Sequence, residues 1–336
     1  GWKSDNDWFN QYRVAYSGNV DAAWLNDHNA ARAYADQGRW LPGSETFDVM
    51  RDSLSAISDL GTGALMANNS RLYHGEGSYD LSKVLGEVVH LIVGAQYRMY
   101  QLNSEGQYFN DADGSISISD FGAFAQASKK LLDNRLQILV SARYDKNSNF
   151  EGNFSPKASI VYSNNKRKEH NIRFTYQMGF RTPSNQEQYL GLNAGSFNVL
   201  GGAQDNLNSY STDINYTTND TTTNTATVTG ENVYTNSYTQ ASVQKYGTTR
   251  DPNDLVAASL AVLAPEKITS MEVGYRGVFN KRLFVDLTYF RNEHTNLIYN
   301  TSVVHPLIGN VADASGVQDI ANGHTVIFFY IRIVVE

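Results

Sequence analysis

Apolar and polar side chains alternate with a period of two along much of this chain. From Arg135 to Asp145, Leu136, Ile138, Val140, Ala142 and Tyr144 fall on one face, and Gln137, Leu139, Ser141, Arg143 and Asp145 on the other. From Asn171 to Arg181, Ile172, Phe174, Tyr176, Met178 and Phe180 oppose Asn171, Arg173, Thr175, Gln177 and Arg181. Successive side chains of an extended strand point to opposite sides, so each segment predicts a strand with one greasy and one wet face. The same reading holds for Phe154, Pro156, Ala158, Ile160 and Tyr162, for Met271, Val273, Tyr275 and Phe279, and for Leu283, Val285, Leu287 and Tyr289. Weaker copies occur at Tyr12, Val14 and Tyr16, at Val93, Ala95, Tyr97 and Met99, and at Phe121, Ala123, Ala125 and Ala127. About ten strands are expected, many reaching the roughly 9 to 11 residues that a bilayer crossing needs.

The connections differ in length in a regular way. Asp133-Asn134 and Asn280-Lys281-Arg282 read as tight hairpin turns. On the opposite side the links are long, Gly18 to Asn69, Asn103 to Ser115, Thr182 to Pro265 and Asn300 to Asn322, with Asn147 to Asn153 a short exception. Short turns on one rim and long loops on the other mark an outer-membrane barrel, with the periplasm on the short side.

Two loops carry a pattern of their own. Between Asp21 and Leu60, the residues Ala22, Leu25, Ala33, Phe47, Met50, Leu54 and Ile57 recur at helix-like spacing. Ser44 is placed to cap a helix whose first turn holds Glu45 and Asp48. From Ser211 to Gly230 the chain is rich in Thr and Asn, with little to bury, and reads as a mobile surface loop. The stretch Thr325 to Val335 is apolar on both faces apart from Arg332, unlike every preceding strand, which suggests a truncated or out-of-frame end.

Composition narrows the choice of solvent. The chain has 336 residues, 41% of them hydrophobic, and a mean hydropathy of −0.42. There is no apolar run of roughly 18 residues, which excludes membrane-spanning helices but not strands, where only every second residue must be apolar. Aromatic content is 12%, with 21 Tyr against 4 Trp, and Pro is rare at 6, a usage suited to strands and turns. A net charge of −7 argues against a nucleic-acid surface, and the one basic triplet, Lys166-Arg167-Lys168, reads as a solvated turn. Without cysteine there is no disulfide frame and no thiolate metal site. The opening Gly1-Trp2-Lys3 carries no export signal, so a preceding segment is expected. A soluble β-sandwich would show the same alternation turned inward. Strand length, the one-sided long loops, and Tyr144, Phe180, Phe279 and Tyr289 near strand ends on the apolar face favour the membrane barrel.

Several segments resemble the barrel of TonB-dependent receptors of Bacteroidetes type. They are Phe154-Ser155-Pro156-Lys157-Ala158-Ser159, His170-Asn171-Ile172-Arg173-Phe174, Gly179-Phe180-Arg181-Thr182-Pro183-Ser184-Asn185-Gln186-Glu187 and Ala264-Pro265-Glu266-Lys267-Ile268-Thr269-Ser270-Met271-Glu272-Val273-Gly274-Tyr275. The resemblance covers most of Arg71 to Ile298, and Gly-Phe-Arg-Thr-Pro is its most specific element. It implies a barrel of about 22 strands plugged by an N-terminal domain and opened by the periplasmic protein TonB with its inner-membrane motor. The chain lacks the coupling box, the plug and the early strands, and ends on Val334-Val335-Glu336 instead of an aromatic residue. The fold expected is therefore all-β: a partial transmembrane antiparallel barrel over residues 1–336, with long extracellular loops at 18–69 and 182–265 that contain short helices.

Candidate chemistry is sparse. Asn110-Asp111-Ala112-Asp113-Gly114-Ser115-Ile116 and Asp120 look like a calcium loop, but aligning Gly114 with the turn glycine puts Phe109 at the first ligand position, which favours a plain acidic hairpin loop. His74 and Glu76 share a strand face without a third ligand, and His294, beside Glu293, and His305, before Pro306, read as ordinary loop residues. No Gly-x-Ser-x-Gly, His-Glu-x-x-His or P-loop is present, and Gly61-Thr62-Gly63 lacks a third glycine, so neither catalysis, cofactor nor resident metal is expected. The wet faces supply Arg98, Arg143, Arg173 and Arg181 with Gln96, Gln137 and Gln177, candidates to touch a plug or a passing solute. The reading is energy-coupled uptake across the bacterial outer membrane of a small-molecule ligand, such as a siderophore-iron complex, cobalamin, an oligosaccharide or a peptide. The alternatives are a passive porin and a structural or adhesive barrel.

Overall fold

The computed structural model describes residues 5–18, 26–57, 63–65, 67–86, 88–164, 169–194, 197–218 and 222–333. The Lys166-Arg167-Lys168 turn, Ala22, Leu25, Leu60, Gly61 and the terminal Val334-Val335-Glu336 lie outside these residues. Two compact units are formed, Gly1–Met66 and Ala67–Glu336.

The first unit is helical: α1 (Asp5–Tyr16), α2 (His28–Ala35) and α3 (Glu45–Ser55). The strand expected at Tyr12, Val14 and Tyr16 is thus a helix. Trp8, Tyr12 and Tyr16 stand four residues apart and stack in a ladder, with centroids 5.4 Å and 5.9 Å apart, that ends on His28. Ala15 is fully buried against Ala31 of α2. Positions 12, 14 and 16 satisfy a period of two, but 8, 12 and 16 satisfy the helical period as well, and the longer series prevails. Around Ser44 the expectation holds, since its Oγ accepts the Phe47 N–H at 3.2 Å at the head of α3.

The second unit begins with six strands, β1 (Arg71–Asp80), β2 (His90–Leu102), β3 (Ile116–Leu131), β4 (Leu136–Asn147), β5 (Asn153–Ser163) and β6 (His170–Arg181). A long excursion follows: α4 (Asn185–Tyr189), β7 (Gly191–Asn193), β8 (Asn198–Leu200), α5 (Gln204–Ser209), β9 (Ser211–Thr217), β10 (Thr223–Thr229), α6 (Gly230–Thr235), β11 (Tyr238–Thr239) and α7 (Gln240–Thr249). The chain returns through β12 (Glu266–Phe279) and β13 (Leu283–Thr295), then adds β14 (Ile298–Pro306), α8 (Ala314–Asn322) and β15 (Thr325–Ile333).

β1 to β6, β12 and β13 form one eight-stranded antiparallel meander, somewhat fewer strands than the sequence pattern counts. With 16 residues in β3 and 14 in β12, these strands exceed what a bilayer crossing needs. Pairing register gives each face a dominant character. Arg98 stands opposite His74 and Asp120, Gly122 opposite Asp145, and Arg173 opposite Gly274, so these charged residues share one side, while Lys146, Lys267, Arg291 and Glu293 fall on the other side near the long-loop rim. Tyr97, Phe121, Tyr144, Phe154, Ile160, Phe174, Val273, Leu287 and Tyr289 share the other. That apolar side is uncovered: Phe154 is 62% exposed, Leu287 64% and Tyr289 63%. So much exposed aromatic and aliphatic surface has no place in water and suits hydrocarbon. Tyr97, Phe121, Tyr144 and Phe154 lie toward the long-loop rim, and Tyr79, Tyr162, Tyr275 and Phe279 toward the other, as interfacial girdles do.

The rims differ in the length of their links, although the expected Gly18 to Asn69 link follows helix α1 instead of a strand, and residues 81–89 form a longer link between β1 and β2 on the short side. At one rim β3 and β4 are joined through left-handed Leu132, Asp133 and Asn134, and β12 and β13 through left-handed Asn280 and Lys281, the φ signs that tight hairpins require. The other rim carries residues 103–115, 148–152 and the excursion 182–265.

The excursion is not irregular. With β14 and β15 it builds a rim domain around a second sheet in the order β11-β14-β15-β8-β7. Its core joins Leu200, Leu207, Tyr210, Val228, Val233, Val303, Phe328 and Tyr330. The stretch read as a mobile loop, Ser211 to Gly230, contains the β9–β10 hairpin. Val228 and Ile214 turn toward the core, while Thr225 and Thr227 hydrogen-bond across to Asn215 and Asp213 at 2.8 Å and 2.7 Å. Threonine is polar, but its branched Cβ suits a strand. β15 pairs with antiparallel β14 and parallel β8, and it is apolar on both faces because both are covered: Phe328 and Tyr330 pack into the core around Leu207 and Val233, while Ile331 and Ile333 pack against Leu263 and Ala261. The Asn300 to Asn322 loop likewise resolves into the rest of β14 and α8.

His305, expected as a loop residue, is buried in β14, and its Nδ1 donates to the Asn236 carbonyl at 2.6 Å. Burial holds its pKa below the usual imidazole value, against that hydrogen bond and the Asp319 charge, which raise it. A group with a depressed folded pKa binds fewer protons folded than unfolded, so its histidine must charge as pH falls through about 6.5 and below. We therefore expect amide exchange of Val303 and Val304 to accelerate between about pH 7.5 and about pH 5, beyond the intrinsic trend, and His305→Gln to abolish the excess. Equal protection at both pH values contradicts this.

Among the described residues, β1 and β13 are edge strands with unpaired backbone groups on their outer sides, which hydrocarbon cannot satisfy. The 336-residue chain refolded alone in detergent should associate or stay unfolded. A heat-resistant monomer with complete strand pairing would show that these edges close on themselves.

Candidate functional site

On the polar face, near the long-loop rim, lies a recess of about 740 Å³. β2, β3 and β4 supply Gln96, Arg98, Asp120, Arg143 and Asp145, and the start of the excursion supplies Asn185 and Gln188. Of the seven residues expected on the wet face, the structure gathers three here: Gln96, Arg98 and Arg143.

Each is held in a definite way. Arg143 forks onto Asp145, Nε to Oδ2 at 2.7 Å and Nη2 to Oδ1 at 2.5 Å. That pair lies over Gly122, where a Cβ would collide with both the guanidinium and the carboxylate, so the glycine makes room for the fork. Asp120 accepts from Asn147 Nδ2 at 2.6 Å. Arg98 donates to Gln96 Oε1 at 3.2 Å, and none of the ion pairs among the described residues includes it. Gln188 is buried and fixed from both ends: its Nε2 donates to the Pro183 carbonyl, and its Oε1 accepts from Asn149, both at 2.7 Å. The recess thus has a rigid wall from the barrel and a rigid wall from the rim domain, with charges of both signs.

Arg173 lies away from the recess, toward the short-turn half of the sheet. It reaches across β12: Nε to Glu272 at 2.8 Å, Nη1 to Asp286 at 3.4 Å, and Nη2 to Thr288 at 2.6 Å. Gly274 permits this, since a Cβ there would come within 2.6 Å of the guanidinium. Arg276 joins the group through Asp286 at 3.2 Å. Gln137 and Gln177 share the polar face but do not line the recess.

Arg181 ends β6 and faces the rim. Its Nε donates to Glu266 at 2.6 Å, and Nη1 and Nη2 fork onto Glu187 at 2.9 Å and 3.1 Å. Glu187 and Ser184 form a reciprocal capping box at the head of α4. Burial disfavours the Glu187 charge, but hydrogen bonds from Arg181 and Ser184 outweigh it and hold the carboxyl below its usual range. The segment Arg181-Thr182-Pro183-Ser184-Asn185-Gln186-Glu187 is thereby a strand end, a turn and a helix cap.

Sequence reasoning missed Asp145, Glu272, Asp286, Glu187, Glu266 and Gln188 as members of these groups. The acidic residues on β4, β12 and β13 carry the right parity, but which arginine each meets depends on register. Only the Ser184–Glu187 spacing was a readable sign. Elsewhere, Asp111 of the suspected calcium loop is buried and accepts from Ser104 Oγ at 2.8 Å and Gly106 N at 2.7 Å, the work of a loop brace. His74 lies 3.6 Å from Glu76 on β1.

Residues 1–326 match the family of TonB-dependent receptor-like β-barrels. No curated protein matches the sequence. Among solved structures, a mutant of the ferric enterobactin receptor PfeA from Pseudomonas aeruginosa is similar at 17% identity and a TM-score of 0.47, over 82% of this chain and 33% of that one. The siderophore receptor PirA from Pseudomonas aeruginosa is similar at 15% and 0.41, over 72% and 37%. The RagAB peptide transporter is similar at 13% and 0.35, over 70% and 27%. The chain thus spans about a third of the length of the chains it resembles. The match over nearly all of its length, on a sheet with one hydrocarbon face and one charged face, shows that this chain belongs to the TonB-dependent receptor-like β-barrel family of the bacterial outer membrane.

Proposed function

We propose that this chain forms part of the wall and outer rim of an active uptake receptor, which captures a scarce polar solute and passes it inward by energy coupling through TonB. It carries no catalytic role. The observation that supports this reading is the recess between the β2–β4 wall and α4. It opens on the charged side of the sheet at the long-loop rim, the side that faces outside in such barrels. Its lining mixes cationic Arg98 and Arg143 with anionic Asp120 and Asp145 and the amides of Gln96, Asn185 and Gln188. Such a lining suits a solute with both hydrogen-bond donors and acceptors and an anionic group for Arg98. A plug inside the barrel would meet the lower polar face, around the Arg173 network.

The helical segment ahead of β1 and the 182–265 excursion serve in this reading as extracellular surfaces that choose the solute.

Whole-cell uptake of a panel of labelled ferric chelates, cobalamin, oligosaccharides and peptides tests the reading. One class should accumulate only when both the receptor and the inner-membrane energy source are intact. Arg98→Ala should raise its half-saturation concentration about tenfold, the loss of one charge-assisted contact, with receptor abundance unchanged. Accumulation that persists after the energy source is collapsed would favour a passive pore.

A further inference from the structure

We infer that Arg181 is a positioning residue that clamps both ends of the 182–265 excursion to the barrel lip and so sets the outer wall of the recess. The inference rests on reading that recess as the capture site. One guanidinium holds three elements together. Its fork seizes Glu187 of α4, where the excursion departs, and its Nε seizes Glu266 of β12, where the excursion returns. The other oxygen of Glu266 accepts the Ile298 N–H at 2.8 Å, which ties in the start of β14.

The far end of α4 carries the constraint onward. Its last carbonyls take the amides of the following segment: Glu187 from Gly202 at 3.0 Å, Gln188 from Ala203 at 3.1 Å, and Leu190 from Gly201 at 2.7 Å. Gly201 packs so closely that a Cβ would lie 2.7 Å from the Gln188 backbone, and a Cβ on Gly202 would strike the Ile331 carbonyl in β15. α4 is therefore pinned at its head by Arg181 and at its tail by the core of the rim domain. Asn185 and Gln188, which face the recess, are carried on this pinned helix.

The geometry also argues against the solute-contact role expected for this arginine. Three of its five N–H donors already meet carboxylates, so most of its charge is answered within the protein and only two donors are left for a solute. Lysine could replace the charge but not the three directions, because an ammonium is a point donor without a fork.

The test is a distance distribution measured by pulsed electron resonance between nitroxides at Gln186→Cys in α4 and Lys157→Cys on the polar face of β5, in the full-length receptor in bilayers. The absence of native cysteine in this chain keeps its labelling clean. With Arg181 intact the distribution should be single and narrow. Arg181→Gln should widen it about twofold, Arg181→Lys should recover only part of the difference, and Glu187→Gln should act like Arg181→Gln while leaving the Glu266 contact in place. Glu187→Gln carries the test if Arg181→Gln does not assemble. Lys130→Gln, at the opposite rim, should change nothing. An unchanged width in assembled Arg181→Gln or Glu187→Gln, or equal widening in Lys130→Gln, overturns the clamp. No ligand enters the measurement, so a clamp seen without energy-coupled uptake would retire the transport reading alone, and uptake without the clamp would retire this one.

Discussion

A peptide N–H or C=O in hydrocarbon has no water to fall back on, and that constraint governs this chain. Strands laid side by side answer it by pairing every interior group with a neighbour, and the answer fixes more than the backbone. Once Arg98 pairs with Asp120 and Asp120 with Asn147, parity assigns every other side chain to lipid or to lumen. The charges on the lumen side then have to satisfy one another across strands, as Arg143 does with Asp145 and Arg173 with Glu272 and Asp286. An arginine on the lipid side at the midplane would cost about 2 to 4 kcal/mol. Gly122 and Gly274 are spaces that these long side chains need, and their place follows from the pairing.

Above the lip the solvent changes and so does the architecture. The rim domain is built on the ordinary logic of a water-soluble core, with Phe328, Tyr330 and Val303 buried and a hairpin of threonines wrapped around them. It departs from β6 and returns to β12, two strands that pair along their whole length. An excursion whose ends are so close needs little to hold it at the lip, and Arg181 supplies that hold at the point where both ends meet. The recess lies at this junction between two solvents, one wall set by strand pairing and the other by packing in water.

Most barrel strands were legible because they carry a sustained period of two, as from Leu136 to Tyr144 and from Ile172 to Phe180; β1, with Gly75 and Gly77 on one face, shows no such run. The tight turns were legible because Asp133-Asn134 and Asn280-Lys281 take left-handed backbone readily. The rim domain was not. Its strands are short, β7 and β8 having three residues each, and the threonine-rich composition of β9 and β10 matches that of a disordered loop. β15 looked anomalous because a strand covered on both sides has no wet face to alternate with. Tyr12, Val14 and Tyr16 misled because a helical ladder and a strand share positions over so short a window. Of the candidate site, the charged residues of the wet face could be chosen by parity, but their grouping could not, since Arg98 and Arg143 meet in the recess while Arg173 turns to Glu272. Register decides that, and register is a property of pairs of strands.

The claim on which everything else depends is that the two faces of the eight-stranded sheet meet different solvents. Nitroxides placed singly at Ile138 and Phe174, and at Gln137 and Thr175, in the full-length receptor in bilayers measure it directly. Molecular oxygen, which concentrates in hydrocarbon, should relax the labels at Ile138 and Phe174, and a water-soluble nickel chelate should relax those at Gln137 and Thr175. Equal access of both reagents to both sets would contradict a barrel wall and return the chain to a sheet folded in water.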